Sequence, residues 1–179
     1  MNLFYLHKDP VECAKMHCDK HTVKMILELA QMLSTAHRFL DGKEYIDQGK
    51  NGRKIKRWFL DGDIENILYK ATHLNHPSAK WVRETSENYI FTYALFLALC
   101  EEYTFRYKKT HLTQIKLQDA LSILPKNIVI GSMTEVPQAM PEYCRRPCSI
   151  DAYRNYYITE KSSILQYTNR DVPEFISKG

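Results

Sequence analysis

One run of the chain constrains its fold more than any other: Ala14 to His37. Wound as an α-helix, at about 100° per residue, it places His17, His21, Lys24, Glu28, Gln31 and Thr35 on one narrow stripe. Val23, Met25, Ile26, Leu27, Leu29, Ala30, Met32 and Leu33 cover most of the remaining surface. A helix on the outside of a protein shows the reverse, one apolar stripe and a broad polar face. This helix therefore belongs in the core, and its polar line must meet water, a partner or a ligand. Imidazole, amine, carboxylate and amide in a row along a core helix suggest the floor of a cleft. The plainer alternative is a structural seam. Lys24 and Glu28 stand i, i+4 and can pair, although with lysine first the gain is only about 0.2–0.5 kcal/mol. His17 and His21 can be core histidines or an i, i+4 metal pair.

The chain has 179 residues, enough for one domain, 1–179, with a sizeable core. A formal net charge of +4 does not by itself establish nucleic-acid binding, so the clustering of charge matters more. No apolar run is long enough to span a bilayer and no signal peptide opens the chain, so no membrane partner is expected. The cysteines are Cys13, Cys18, Cys100, Cys144 and Cys148. An odd count without a secretion signal argues for reduced thiols and a cytoplasmic setting. A zinc site assembled from Cys13, His17, Cys18, His21, Cys144 and Cys148 would match no standard spacing. No metal or other cofactor is expected.

Met1 to Leu6 is short and apolar and should pack on the core. Pro10 suits a helix start. The first helix is expected from about Pro10 to Phe39, with a break near His17 and a left-handed glycine cap at Gly42. Lys43 to Asp63 looks irregular and basic, with a turn at Asn51-Gly52. Within it Lys50, Arg53, Lys54, Lys56 and Arg57 form a dense cationic patch ending in Trp58-Phe59, which suits a phosphate backbone or a solvated loop. A short helix fits between Asp63 and Ala71. Asn75 or His76 can cap a long helical pattern from Ser78 to Tyr107, with Pro77 in its first turn. Its densely apolar part, Tyr89 to Cys100, should pack on the first helix, and Arg106 near its end should complement the helix dipole. Leu112 to Leu124 is amphipathic and is stopped by Pro125, and Asn127 to Met140 is a loop. Ser149 can cap a last helix to about Leu165, in which Tyr153, Arg154, Tyr156, Tyr157 and Lys161 interleave rings and cations as nucleic-acid surfaces do. Phe175 in the tail should dock. The fold class is mainly α: a compact single-domain bundle of helices around a long first helix, with irregular loops and at most a short hairpin.

Several patches, taken in order, resemble the phage endonuclease V family of pyrimidine dimer DNA glycosylases. They are Asp19-Lys20-His21 followed by Glu28-Leu29; Asn51-Gly52-Arg53-Lys54-Ile55 with Phe59; Asn75-His76-Pro77; Val136-Pro137-Gln138 with Tyr143; and Tyr153-Arg154-Asn155-Tyr156-Tyr157 with Lys161. Their shared order across most of the chain carries the resemblance. It implies a repair glycosylase with abasic-site lyase activity on pyrimidine dimers, or other damaged or modified bases, in duplex DNA. It also implies a monomer in the cytoplasm of an infected host cell. The family uses its N-terminal α-amine as nucleophile and a glutamate on the first helix, by residue match Glu28, as partner. An amine attacking the sugar C1′ gives an imine, which permits strand cleavage by β-elimination. The amine must be neutral, and an α-amine with pKa about 7.7–8.0 is better placed than a lysine near 10.4. The carboxylate can stabilise developing positive charge and move a proton.

The chain departs from that pattern at two places. The family removes its initiator methionine to expose a small residue, whereas bulky Asn2 here favours keeping Met1. The candidate amines are thus those of Met1 and Asn2, with Lys24 as competitor one turn from Glu28, and His21 joins the catalytic set. The family's phosphate-gripping arginines fall at Leu27 and Gln31. DNA contacts are expected from His17, Gln31, Lys50, Arg53, Lys54, Lys56, Arg57, His76, Tyr153, Arg154, Tyr156, Tyr157 and Lys161. On the residues alone two other classes stay open: a non-enzymatic nucleic-acid-binding protein, and a metal-dependent hydrolase built on His17, His21, His73 and His76.

Overall fold

The computed structural model describes residues 1–49 and 51–177, so Lys50 of the expected cationic patch lies outside the described residues. In chain order come α1 (Pro10–Lys15), α2 (Asp19–Asp41), β1 (Lys43–Gln48), β2 (Lys54–Phe59), α3 (Ile64–Ile67), α4 (Pro77–Val82), α5 (Ser86–Tyr107), α6 (Leu112–Leu121), α7 (Ser149–Glu160) and α8 (Glu174–Ser177). The fold is mainly α, and β1 and β2 form the one sheet among the described residues, an antiparallel pair. No helix among those residues is long and apolar enough to cross a membrane.

Asp9 starts α1, its Oδ1 accepting the N–H groups of Val11 and Glu12, both at 2.9 Å. The expected break near His17 separates α1 from α2. The α2 helix is rich in Leu, Met and Ala and free of Gly and Pro, which favours a long helix. It packs along α5 and against α4 and α6, while α1 also packs on α5. Met25, Ile26, Leu29, Met32 and Leu33 are fully enclosed, each contributing about 1.5–3 kcal/mol by burial. Its apolar cover is not uniform, however. Val23 and Leu27 are each 39% exposed, because the neighbouring helices pack on the other side. With Lys20, Lys24 and Gln31 they form the strip that α2 shows to solvent.

Gly42 is not a left-handed cap. Its φ of −86° and ψ of 157° are extended, and the chain runs straight from α2 into β1. Glycine is needed there for space, since a Cβ would lie 2.4 Å from the Arg38 carbonyl oxygen and 2.9 Å from the Trp58 Cβ. The segment expected to be irregular is largely the β1–β2 hairpin, in which Lys43 pairs with Phe59 and Gln48 with Lys54. Gly52, at φ +73°, supplies its turn. Buried Trp58 anchors the hairpin against Phe39, with ring centroids 5.9 Å apart.

The long pattern from Ser78 divides into α4 and α5. His76 caps the first, its Nδ1 accepting the Ser78 N–H at 3.2 Å, and Thr85 caps the second through the Asn88 N–H at 3.3 Å. Arg106 does not serve the helix dipole at the surface. It is buried, donating to Glu102 at 2.7 Å, to Asp19 at 2.9 Å and to the Lys15 carbonyl at 3.1 Å. Asp19, the acid of the Asp-Lys-His motif, thereby ties α2 to α5. Ser149 does not cap α7: Cys148 holds that position, and the Ser149 hydroxyl donates to the Val136 carbonyl at 2.7 Å. The cysteines are all free thiols, Cys148 exposed and the others buried.

Candidate active site

Residues 1–6 lie beside α2, with Leu3 and Leu6 fully buried. Phe4 takes φ +48°, a conformation that costs a bulky residue about 1–3 kcal/mol and persists only where its surroundings enforce it. Here they do. The Phe4 ring stacks on His21, centroids 4.2 Å apart, and lies 5.9 Å from Tyr156 at 12°.

The bend delivers the N-terminus to Glu28, which is only 8% exposed. Glu28 Oε2 accepts the main-chain N–H of Asn2 at 2.9 Å and lies 3.7 Å from the Met1 α-amine. Oε1 is 3.2 Å from Lys24 Nζ. One carboxylate thus stands between two amines in different settings. Lys24 carries its amine on a side chain that is 65% exposed, whereas the Met1 amine is on the main chain of a half-buried residue whose side chain is packed away at 1% exposure. Asn2 is also buried. Its Nδ2 donates to the Ala139 carbonyl at 2.9 Å, and its Oδ1 accepts from Leu3 N–H at 2.8 Å and from the Tyr153 hydroxyl at 2.9 Å. His76 borders the same place. Burial lowers its pKa first, and the positive charges of the N-terminal amine and His73 lower it further, against the pull of Glu28.

His21, two turns before Glu28 on α2, is 5% exposed, and its Nδ1 lies 2.6 Å from the Tyr157 hydroxyl. Burial, reinforced by the charges of His17, Lys161 and Lys24, pushes its pKa down to about 3. It is therefore a neutral ring wedged under the N-terminal bend rather than a group open to solvent.

The expected DNA-contacting residues divide. His17, Tyr153 and Tyr157 are fully buried and off the surface. His17 Nδ1 is 2.7 Å from the Cys13 carbonyl oxygen, and the hydroxyls of the two tyrosines are spent on Asn2 and His21. Tyr153 and Tyr157 are i, i+4 on α7, and that ridge faces inward. Arg154 is half-buried, donating from Nε to the Leu6 carbonyl at 3.0 Å, with its guanidinium 5.3 Å from the Phe175 ring centroid. It secures the N-terminal segment and the docked tail. Tyr156 and Lys161 remain half-buried near the surface, the ammonium 4.7 Å from the ring centroid. Gln31 and His76 are half-exposed. Arg53, Lys54 and Lys56 are exposed on the hairpin. Lys56 pairs with Glu44 at 2.8 Å, and half-buried Arg57 stands 3.8 Å from Asp47.

Among the described residues no three of His, Cys, Asp and Glu group as a metal site. His17, His21, His73 and His76 do not converge. His73 Nδ1 is 2.8 Å from Thr72 Oγ1, and the other three have the partners already given. Sequence reasoning missed Phe4 and the Ala139 carbonyl. Nothing marks a positive φ at a phenylalanine, but the Val136-Pro137-Gln138 patch flagged the loop that supplies Ala139.

An enclosed carboxylate with an α-amine at its edge is equipped for nucleophilic attack on an electrophilic carbon. A family model for pyrimidine dimer DNA glycosylases matches residues 1–115. The chain belongs to that family, and so to the DNA glycosylases of repair. The matched range holds Met1, Asn2, Lys24, Glu28, His76 and the hairpin, while the loop at Ala139 and helix α7 lie beyond it. No curated protein and no solved structure matches the chain.

Proposed function

We propose that this chain, acting as a single domain over residues 1–179, is a DNA glycosylase with abasic-site lyase activity on pyrimidine dimers or other damaged bases in duplex DNA. The observation that carries the reading is the Met1 α-amine 3.7 Å from Glu28 Oε2, in a chain of a DNA glycosylase family. The neutral amine attacks C1′ of the damaged nucleotide. The bond from C1′ to the base breaks, its electron pair leaves with the base, and the base takes up a proton. Glu28 accepts a proton from the alkylated amine and passes it to O4′ as the C1′–O4′ bond breaks and the sugar ring opens to the protonated imine. Loss of a C2′ proton then expels the 3′ phosphate by β-elimination, cutting the strand. Between the two amines at Glu28, the α-amine is favoured because the buried Asn2 next to it holds it over the carboxylate, whereas Lys24 reaches that carboxylate on a side chain 65% exposed. Lys24 lies on the solvent side of the same carboxylate. His21 supports the N-terminal segment through Phe4. Gln31, Tyr156, Lys161, His76 and the hairpin cations Arg53, Lys54, Lys56 and Arg57 contact the duplex, mostly through phosphates.

Borohydride trapping on an abasic-site duplex tests this reading. A covalent complex is expected, and peptide mapping should locate it at Met1. Acetylating the α-amine, or burying it behind an N-terminal extension, should remove it. Trapping that survives the extension but is lost in Lys24→Gln would make the lysine the nucleophile. No trapped complex on any abasic or damaged duplex would overturn the imine mechanism.

A further inference from the structure

The residue that holds the amine in place is not on α2. The Asn2 side chain is tied on two atoms to the second half of the chain: Nδ2 donates to the Ala139 carbonyl at 2.9 Å, and Oδ1 accepts from the Tyr153 hydroxyl at 2.9 Å. The single Tyr153 hydroxyl proton is shared between Asn2 Oδ1 and the Pro137 carbonyl oxygen at 2.8 Å, and the hydroxyl oxygen accepts the Ala139 N–H at 3.4 Å. Its ring is fully buried, which fixes its direction. Burial raises the phenol's pKa, so it stays a donor. Asn2 completes the link through its own main chain, whose N–H donates to Glu28 Oε2 at 2.9 Å. The α-amine is one residue from this knot, while its own distance to Glu28, 3.7 Å, is longer than a hydrogen bond. Glu28 alone therefore does not orient the amine. The tether on Asn2 does.

We propose that Asn2 and Tyr153, with the 137–139 loop, form a clamp that positions the α-amine against Glu28. The inference rests on the amine-nucleophile reading above. Neither residue touches the reacting atoms; both are positioning residues. Their placement matters because a misplacement of about 1 Å can slow a reaction about 100-fold. The clamp joins the two ends of the chain, with Asn2 inside the family match and Tyr153 outside it. The C-terminal third thus takes part in the chemistry through the N-terminus rather than through DNA contacts from Tyr153.

The test is single-turnover borohydride trapping on an abasic-site duplex, with DNA affinity measured in parallel. Tyr153→Phe keeps the buried ring and removes only the hydroxyl. It should slow trapping about tenfold or more while leaving the duplex Kd and the melting temperature close to wild type. Asn2→Leu keeps the bulk, and so keeps Met1, and should slow trapping to a similar degree. The double variant should be no slower than the slower single, since both break one unit. Additive losses would mean that the two residues act separately and would overturn the clamp. So would wild-type trapping rates in Tyr153→Phe, or losses that follow melting temperature in both single variants. If wild type itself is never trapped, the amine reading fails, and the clamp falls with it.

Discussion

Two of the charged centres on helix α2, Arg38 and Glu28, stand ten residues apart and are finished differently. Arg38 is fully buried. Its Nε donates to the Tyr69 carbonyl, Nη1 to the Trp58 carbonyl and the Glu65 carboxylate, and Nη2 to the carbonyls of Glu65 and Leu68. A guanidinium has five N–H donors, and all are used. Glu65 in turn takes the Lys70 ammonium and the Leu60 N–H. Glu28 has strong partners too, but its neighbouring α-amine stands just outside hydrogen-bond reach, and Lys24 faces water. The saturated centre can only hold structure, here by pinning β2 and α3 to α2. The unsaturated one leaves its α-amine at 3.7 Å, outside hydrogen-bond reach, which is the amine that the proposed mechanism uses.

Breaking Glu28 should have the largest effect, and on rate alone. Glu28→Gln keeps the size and can still accept the Asn2 N–H, but it no longer takes up a proton. Single-turnover cleavage of damaged duplex should fall about 100- to 10,000-fold, with the melting temperature and duplex affinity retained. Near-wild-type turnover would remove Glu28 from the chemistry. Arg38→Met should do the opposite. It strands Glu65 and several carbonyls in a buried setting, where breaking one partner of a charged pair costs about 3–5 kcal/mol. Urea denaturation should show that loss, while cleavage per folded molecule stays unchanged. A loss under 1 kcal/mol would mean that water replaces the guanidinium and that the knot is not sealed.

Acid should separate the buried histidines from the Arg38–Glu65 centre by pH. Burial holds His17 and His37 at about 4 and His21 at about 3, below the ordinary 6.5. The unfolded chain binds these protons more readily, so their contribution to stability is complete above pH 6.5 and declines as pH falls through the folded values. Burial opposes the Glu65 charge, but the Leu60 N–H, Lys70 and Arg38 outweigh it and hold the carboxyl at about 2, against an ordinary 4.5. Its contribution is present above pH 4.5 and is lost towards pH 2. Melting temperature measured from pH 7 to 2 should therefore begin to fall below 6.5. Glu65→Gln should reduce the slope only below 4.5 and should leave there the share of Asp19 and Glu102, whose carboxyls burial raises but hydrogen bonds hold low on balance. A flat profile between 6.5 and 4 would mean that the buried histidines find proton-accepting partners on acidification.

The Glu28 stripe was legible in the sequence because helical periodicity is local: Lys24 and Glu28 meet at i, i+4 whatever packs around them. Arg38 was not, because its partners are mostly main-chain carbonyls brought in by β2 and α3, and carbonyls leave no mark on a sequence. Tyr153 and Tyr157 show the same limit from the other side. Their spacing gives one ridge on α7, but only the packed N-terminal segment determines that the ridge faces Asn2 and His21. Gly42 was correctly a helix end for the wrong reason, close approach by Arg38 and Trp58 in place of a left-handed φ. The hairpin's turn was visible at Asn51-Gly52, while its strands, mostly exposed and charged, lacked the apolar alternation that marks a strand.

The smallest expected effect is at Lys24, and it sharpens the contrast between enclosed and open sides of Glu28. Lys24 Nζ lies 3.2 Å from Glu28 Oε1, closer than the α-amine to Oε2, so distance alone would favour the lysine. Exposure argues otherwise. With 65% of its side chain in solvent, Lys24 forms an ion pair of the screened kind, worth about 0.2–1 kcal/mol. Removing it should therefore change the rate by a factor of about five at most. The enclosed side keeps its Asn2 N–H bond to Glu28 and its tether to Ala139 and Tyr153, none of which passes through Lys24. Lys24→Gln should accordingly trap on abasic-site duplex at no less than about a fifth of the wild-type rate, with the adduct still at Met1. Raising salt should narrow the remaining gap, because screening already weakens that ion pair in wild type. A hundredfold loss in Lys24→Gln, unaffected by salt, would place the reacting amine on the open side of the carboxylate.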